Sequence, residues 1–522
     1  MTEPTESVGT GLNSAQLQDR AVKGVAWTMI HTIVSLPVAF AVNLLLARVL
    51  APAGYGRLAF LTTLISIASS IVALGLSSAM IQFGARAHAA GRTSEVRHIL
   101  SASQGFRLLV VAPILTALVV LIVDVPLPLL VLSVIFGVWV PAALDGATIT
   151  LSIESKSAEA ARIAMVSNVL VQAGVVSAVL WVGTADSVWA ARVVLSAGVI
   201  AMAFVAISSV YRHAVLRPRL PKGFPAGFWR FAIPTGVAAL IGDLALSRTE
   251  VVFLTWLSSP EQVGLFALAF GVSSHIFGPA HALTGPLIPA VSGLKEVGSA
   301  QVAEAFERAL RSVSVVIAVL MAIALPALAV LVPLLYGSEY AGASPALLAL
   351  GLVGGVGVLT GPISAFVMAR LSARRLLIAN AAALCVDVML AIALIPFLGM
   401  WGAVMANAGA VLVQLGVVLE SERRELDLSP REVTRMLAPV LTAPVACGVA
   451  WFIVDWLHLG PLVTATLASC VSALILWIGL KVTKAGLRPQ DREAVLRSLP
   501  GRLVPAASKA LAPLVRHDDV RR

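Results

Sequence analysis

Apolar residues along this chain gather into runs of about 20, the length a helix needs to cross a hydrocarbon layer about 30 Å thick. Polar residues are confined to short breaks between the runs. About fourteen runs can be counted, and the first eight have approximate cores at Val25 to Ala47, Leu58 to Ile81, Ile99 to Val123, Leu127 to Thr150, Ile163 to Val182, Val188 to Val210, Phe231 to Leu257 and Leu265 to Ile288. The rest lie at Ser312 to Leu335, Ala346 to Met368, Leu376 to Leu398, Gly402 to Leu419, Leu437 to Trp456 and Leu462 to Leu480. This pattern predicts an all-α integral membrane fold.

The breaks alternate in charge. One set carries Arg86, Arg92 and Arg97; Lys156 and Arg162; Arg212, Arg217, Arg219, Lys222 and Arg230; Lys295, Arg308 and Arg311; Arg370, Arg374 and Arg375; and Arg423, Arg424, Arg431 and Arg435. The other set carries only Arg48, Arg57 and Arg192. Basic residues concentrate on the cytoplasmic side of a membrane. The first set is therefore read as cytoplasmic, and both termini join it, through Arg20 and Lys23 at one end and Lys481 onward at the other. An even number of spans follows, in keeping with fourteen.

Composition strengthens this reading: 59% of residues are hydrophobic and 12% charged, against about 25% charged in soluble domains. The net charge of +10 is an orientation signal and a source of attraction for anionic membrane lipid, not a nucleic-acid patch. Cys385, Cys447 and Cys470 fall inside apolar runs without metal-like spacing and read as packing residues. No metal or cofactor is expected. The polar leader, residues 1–22, lacks the apolar core of a cleavable signal. The basic tail, residues 483–522, either lies along the inner membrane surface or extends from it without fixed structure. Outward breaks such as Asp124 to Pro126 and Ser258 to Gln262 are short. They argue against the large outer domain expected of an enzyme assembling surface polymer, and no phosphate-binding loop or nucleophile motif is present.

Charges inside the runs are the candidates for function, because each costs about 2.5–3.5 kcal/mol in a lipid-facing helix and therefore faces protein or a water-filled cavity. The run from Phe231 to Leu257 holds Asp243, Arg248 and Glu250. On a helical wheel Asp243 and Glu250 share a face, whereas Arg248 stands about 140° from the first. Arg248 thus needs a partner from another helix or a bound anion. Asp243 and Glu250 are candidate coupling or cavity groups for a proton or cation. Arg107 and Asp145 enter neighbouring runs at similar depth from the same side, a geometry suited to an ion pair; facing a cavity, Arg107 could instead hold a phosphate. Asp387 is the only charge in its run and shares a face with Asn380. Asn407 and Gln414 read as groups that join helices.

Two turns are alike. ARVLAPAGYGRLAF (Ala47 to Phe60) and TWLSSPEQVGLFALAF (Thr255 to Phe270) each contain P-x-x-x-G, as Pro52 with Gly56 and Pro260 with Gly264. Their offset of about six spans is that of a duplicated six-helix unit.

These turns, with LGLSSAMIQFGAR (Leu74 to Arg86), the stretch from Phe228 to Val272, LLYGSEYAGASPALLALGL (Leu334 to Leu352) and IPFLGMWGAVMANA (Ile395 to Ala408), resemble the polysaccharide flippases of the Wzx type. Their superfamily also holds multidrug extruders and lipid II flippases. The resemblance implies two six-helix lobes, 23–211 and 231–420, joined by a basic cytoplasmic linker 212–230 and followed by two extra helices within 421–482. It implies rocking of the lobes about a central cavity, and a polyprenyl diphosphate-linked sugar as substrate. Arg248 and Arg107, with Arg48 and Arg57 near the outer mouth, are the candidate substrate contacts. The acidic residues Asp145, Asp243, Glu250 and Asp387 weaken a purely cationic cavity and suit coupling to protons or sodium. A cation-coupled multidrug antiporter is the alternative, and a membrane enzyme of surface-polymer assembly is a second one. Expected partners are membrane lipids and the glycosyltransferases or polymerase of the same pathway. The expected location is a bacterial cytoplasmic membrane.

Overall fold

The computed structural model describes residues 14–73, 75–247, 249–282, 299–369, 373–457, 459–483, 485–486 and 508. Every element among them is helical. The first half holds α1 (Ser14–Ala73), α2 (Leu76–Ala89), α3 (Thr93–Phe106), α4 (Ala112–Ile122), α5 (Leu127–Val134), α6 (Val140–Leu144), α7 (Gly146–Ile153), α8 (Ser157–Trp181), α9 (Ala185–Ala206) and α10 (Ser209–Leu216). Two π-helical segments, Arg107–Val111 and Ile135–Trp139, join α3 to α4 and α5 to α6. The second half holds α11 (Phe228–Ser247), α12 (Thr249–Leu257), α13 (Pro260–Ala282), α14 (Ser299–Tyr336), α15 (Ala343–Val358), α16 (Thr360–Ala369), α17 (Ala373–Leu398), α18 (Met400–Glu425), α19 (Pro430–Asp455) and α20 (Pro461–Thr483).

Among the described residues, eleven helical stretches are long and apolar enough to cross a membrane. This is fewer than fourteen for identifiable reasons. The first two apolar runs share α1, which is broken at Ala51 (φ 53°, ψ 173°). Pro52 follows it, and the residue before a proline is driven out of the helical region while the proline itself suits the start of the next helix. The run carrying Asp243 is divided between α11 and α12, and the next run continues past α13 into residues outside the description.

Each π segment ends two residues before a proline, Pro113 and Pro141. A proline has no N–H to return to the preceding turn and crowds the carbonyl there. A widened turn accommodates both effects without a break in the helix.

The chain divides into two compact units, residues 1–50 with 60–240, and residues 51–59 with 241–522. In the first, Leu76, Met80, Ile99, Leu100, Ile153, Tyr211 and Phe228 belong to one buried core. The short helix α10 closes it, with Tyr211 Oη 2.7 Å from His88 Nδ1. Burial, with the Glu154 carboxylate near, holds the Tyr211 hydroxyl above its ordinary pKa.

In the second unit, α19 and α20 are fastened to α14. Ser469 Oγ donates to the Ile323 carbonyl at 2.7 Å, three residues before Pro326, where the helix lacks a backbone donor. The hydroxyl ties α20 to the turn of α14 that the proline, lacking an N–H, weakens. The two P-x-x-x-G turns also meet here. A Cβ on Gly264 would lie 1.8 Å from the Pro52 carbonyl oxygen, and one on Gly56 would lie 2.4 Å from that of Pro260. The contact is reciprocal, and each glycine is needed because the other turn's backbone occupies the space.

Large apolar side chains remain on the outside, as lipid-facing helices require. Trp181 is 88% exposed and Trp456 81% exposed, both where a span ends, the position at which indole rings favour the membrane interface.

Candidate functional site

Within the second unit the sequence's most expensive residues come together. Glu250, at the start of α12, and Asp387, in the middle of α17, are both fully buried. Asn407 of α18 donates from Nδ2 to Glu250 Oε1 at 2.6 Å. Asp387 lies within electrostatic reach of Glu250 and Thr249, yet among the described residues neither of its oxygens, nor Glu250 Oε2, has a hydrogen-bond donor. Thr249 directs its hydroxyl to the Leu244 carbonyl instead, at 2.7 Å. Two turns along the same pair of helices, Gln414 Nε2 donates to Asn380 Oδ1 at 2.8 Å. The spacing of seven residues on both helices puts the two polar pairs on one face, as helix periodicity dictates. Two carboxyl groups side by side in an apolar core repel strongly when both are ionised. The arrangement suits a shared proton or a small cation.

The first unit holds a different site. Arg107 is buried and donates from Nη1 to Asp145 Oδ2, and from Nη2 to Ser77 Oγ at 2.9 Å. Asp145 Oδ1 accepts from Thr148 Oγ1 at 2.7 Å. Gln104 supports the pair from one turn below, donating from Nε2 to the Ala142 carbonyl at 3.1 Å and to that of Ala143. Those carbonyls lie where the helix pauses between α6 and α7. Beside the pair is a cavity of about 160 Å³, lined by Ser77, Arg107 and Asp145 and by apolar side chains including Val111 and Val138. Both π segments contribute to its wall. An extra residue per turn rotates the face that follows by about 100°, which aims residues on either side of the segment in directions a regular helix would not. A guanidinium carries five donors, and two are engaged in the bonds above.

The other sequence candidates are dispersed. Arg48 and Arg57 are exposed, the first in unit one and the second in unit two. Arg248 lies outside the described residues, as does the side chain of Asp243. The wheel put Asp243 and Glu250 on one face; what the structure adds is Asp387 and Asn407 opposite Glu250. Asn407 and Gln414 were legible only as groups joining helices, since a single sequence does not say which helix faces which. Ser77 had no distinguishing signal at all.

Comparison with known proteins follows from this geometry. The profile of a family described as polysaccharide biosynthesis protein matches residues 21–295. Among curated proteins, none matches the sequence. Several solved structures share the fold. Lipid II flippase MurJ in an inward closed conformation aligns with a TM-score of 0.58 at 14% identity, covering 87% of this chain and 99% of that one. The eukaryotic MATE transporter AtDTX14 aligns with a TM-score of 0.54 at 14% identity, covering 82% and 99%. A transporter of the MOP superfamily from Pyrococcus furiosus gives 0.51 at 15% identity, covering 81% and 100%. At such identities the likeness is one of fold.

Proposed function

Because the chain belongs to the polysaccharide biosynthesis protein family, whose profile spans more than half of it, we propose that it moves a polyprenyl diphosphate-linked sugar or oligosaccharide across a cytoplasmic membrane by alternating access. The family match carries this reading. The multi-pass helical fold and its likeness to MurJ, a lipid II flippase, support it. Basic breaks on one side orient the chain with both termini in the cytoplasm, where such a lipid precursor is made.

Each group then has a task. Arg107, held in the wall of a cavity, offers spare donors to phosphoryl oxygens, for which a planar guanidinium fork is well matched. Asp145 occupies it when no anion is present. Arg248, Arg48 and Arg57 contribute further positive charge along the path. Glu250 and Asp387, with Asn407 fixing one of them, take up the proton or sodium ion whose movement drives the cycle, and Asp243, seven positions earlier in the sequence, is a further candidate for that task. Catalysis has no part in this account. Glycosyltransferases or a polymerase of the same pathway supply and consume the transported lipid.

A second reading has its own support. The adjacent carboxyl groups of Glu250 and Asp387, in a fold shared with a MATE transporter, suit a proton- or sodium-coupled drug antiporter. Proteoliposomes with an imposed proton or sodium gradient separate the two. The flippase account predicts gradient-stimulated movement of polyprenyl diphosphate sugars and none of lipophilic cationic drugs; the reverse selectivity would establish the antiporter.

A further inference from the structure

The sequence between α9 and α11 is unusual in charge. From Ser209 to Arg230 it holds Arg212, Arg217, Arg219, Lys222 and Arg230 and no acidic residue; indeed none occurs between Asp186 and Asp243. Such a stretch is ordinarily a loose basic loop. Here its backbone is anchored at successive points along unit one. Arg219 N donates to the Ser101 carbonyl at 2.9 Å, and Ser101 Oγ donates to that of Ala214 at 3.0 Å. His98 Nε2 faces the carbonyls of Lys222 and Gly223, each at 3.1 Å, which makes it the protonated ring nitrogen. Gly105 lets this segment approach so closely that a Cβ there would fall 1.7 Å from the Arg219 carbonyl oxygen. Phe224 stacks on Phe228 with centroids 4.5 Å apart and meets Trp229 edge-on.

The side chains point the other way. Arg217, Arg219, Lys222 and Arg230 are all exposed. Leu216 and Leu220, on either side of Arg217 and Arg219, are 53% and 65% exposed. Arg212 is not part of the display, because it is only half-exposed and turns its Nη2 to the carbonyls of Val205 and Ile207. The result is a tethered ledge of four cations and two apolar side chains, placed between two membrane spans and therefore at the membrane surface. Cations alternating with apolar side chains match the headgroup boundary, where leucines enter the acyl region and arginines meet phosphate. An acidic soluble protein would satisfy the charges and leave the leucines in water.

We propose that residues 216–230 are a preformed binding site for the phosphate headgroups of anionic phospholipid. The site is independent of the substrate carried. Because its backbone is already ordered, little conformational entropy is lost on binding.

The full chain, purified in neutral detergent, can be titrated with fluorescent phosphatidylglycerol or phosphatidylcholine. Wild type is expected to bind phosphatidylglycerol at least about tenfold more tightly, with affinity falling as salt is raised, since each surface cation contributes about fivefold. The combined Arg217→Gln, Arg219→Gln, Lys222→Gln and Arg230→Gln variant should lose about tenfold or more, whereas Arg431→Gln with Arg435→Gln, exposed elsewhere, should change affinity little. Equal losses in both variants, or no preference of wild type for phosphatidylglycerol, would overturn the proposal. If the fourfold variant is not monodisperse, Arg217→Gln and Arg219→Gln alone decide, each expected to weaken binding about fivefold and overturning the site if neither does.

Discussion

Arg107 and Asp145 are unequal ends of one ion pair: the arginine side chain is 9% exposed and the aspartate 30%. Removing one partner of a buried pair costs most when the charge left behind is the buried one. Asp145→Ala strands the guanidinium and is expected to lower stability by about 3–5 kcal/mol. Arg107→Met leaves Asp145 with Thr148 and partial solvent, and should cost about 1–3 kcal/mol. Denaturation of the purified variants in detergent measures both, and equal losses would refute the asymmetry. At Glu250 the expectation differs. Glu250→Gln keeps an acceptor for Asn407 and gives the adjacent Asp387 a donor, so stability stays within about 1 kcal/mol of wild type while gradient-driven transport is lost. A variant that transports at the wild-type rate would remove Glu250 from coupling. These residues were visible in the sequence because charge inside an apolar run demands an explanation. The pairing of Arg107 with Asp145 was legible too, from their matched depth in neighbouring runs, but the partner of Glu250 was not: Glu250 and Asn407 are 157 positions apart, and nothing local to either specifies the meeting.

Helices and turns were the most legible elements, since runs of about 20 apolar residues have few other solutions in water or lipid. The π segments were not, because RLLVV and IFGVW are as apolar as their surroundings. The signal lay just beyond them, in Pro113 and Pro141, which read as ordinary residues of membrane helices until the widened turns are seen. The paired P-x-x-x-G turns show a second limit. Their likeness could be read directly, but their contact could not, and it is the contact that forbids a side chain. Gly264→Ala places a methyl group against the Pro52 carbonyl and is expected to cost about 1–3 kcal/mol as the backbones are pushed apart. Gly416, inside α18, has open space where a Cβ would go, and Gly416→Ala should be neutral or raise stability by up to about 1 kcal/mol. Melting of the two variants side by side tests this; equal destabilisation would mean that crowding at the turns is not what fixes Gly264.

At the scale of the whole molecule, basic and neutral breaks alternate along the chain, the pattern expected of a multi-pass membrane protein with one basic side, and the family it belongs to is that of polysaccharide biosynthesis proteins. On the proposed reading, the two described sites divide the work of an exporter. A guanidinium with spare donors beside a cavity suits an anionic headgroup, and a pair of buried carboxyl groups suits the ion that drives movement. The central claim is translocation of a polyprenyl diphosphate-linked saccharide, and it is tested most directly by leaflet accessibility. The purified full chain is reconstituted into liposomes carrying a panel of labelled polyprenyl diphosphate sugars, and the label reaching the opposite leaflet is followed with time. The account predicts transfer well above that of protein-free liposomes for at least one sugar, and reduced transfer with Arg107→Ala. Transfer indistinguishable from protein-free liposomes for every lipid in the panel would contradict it.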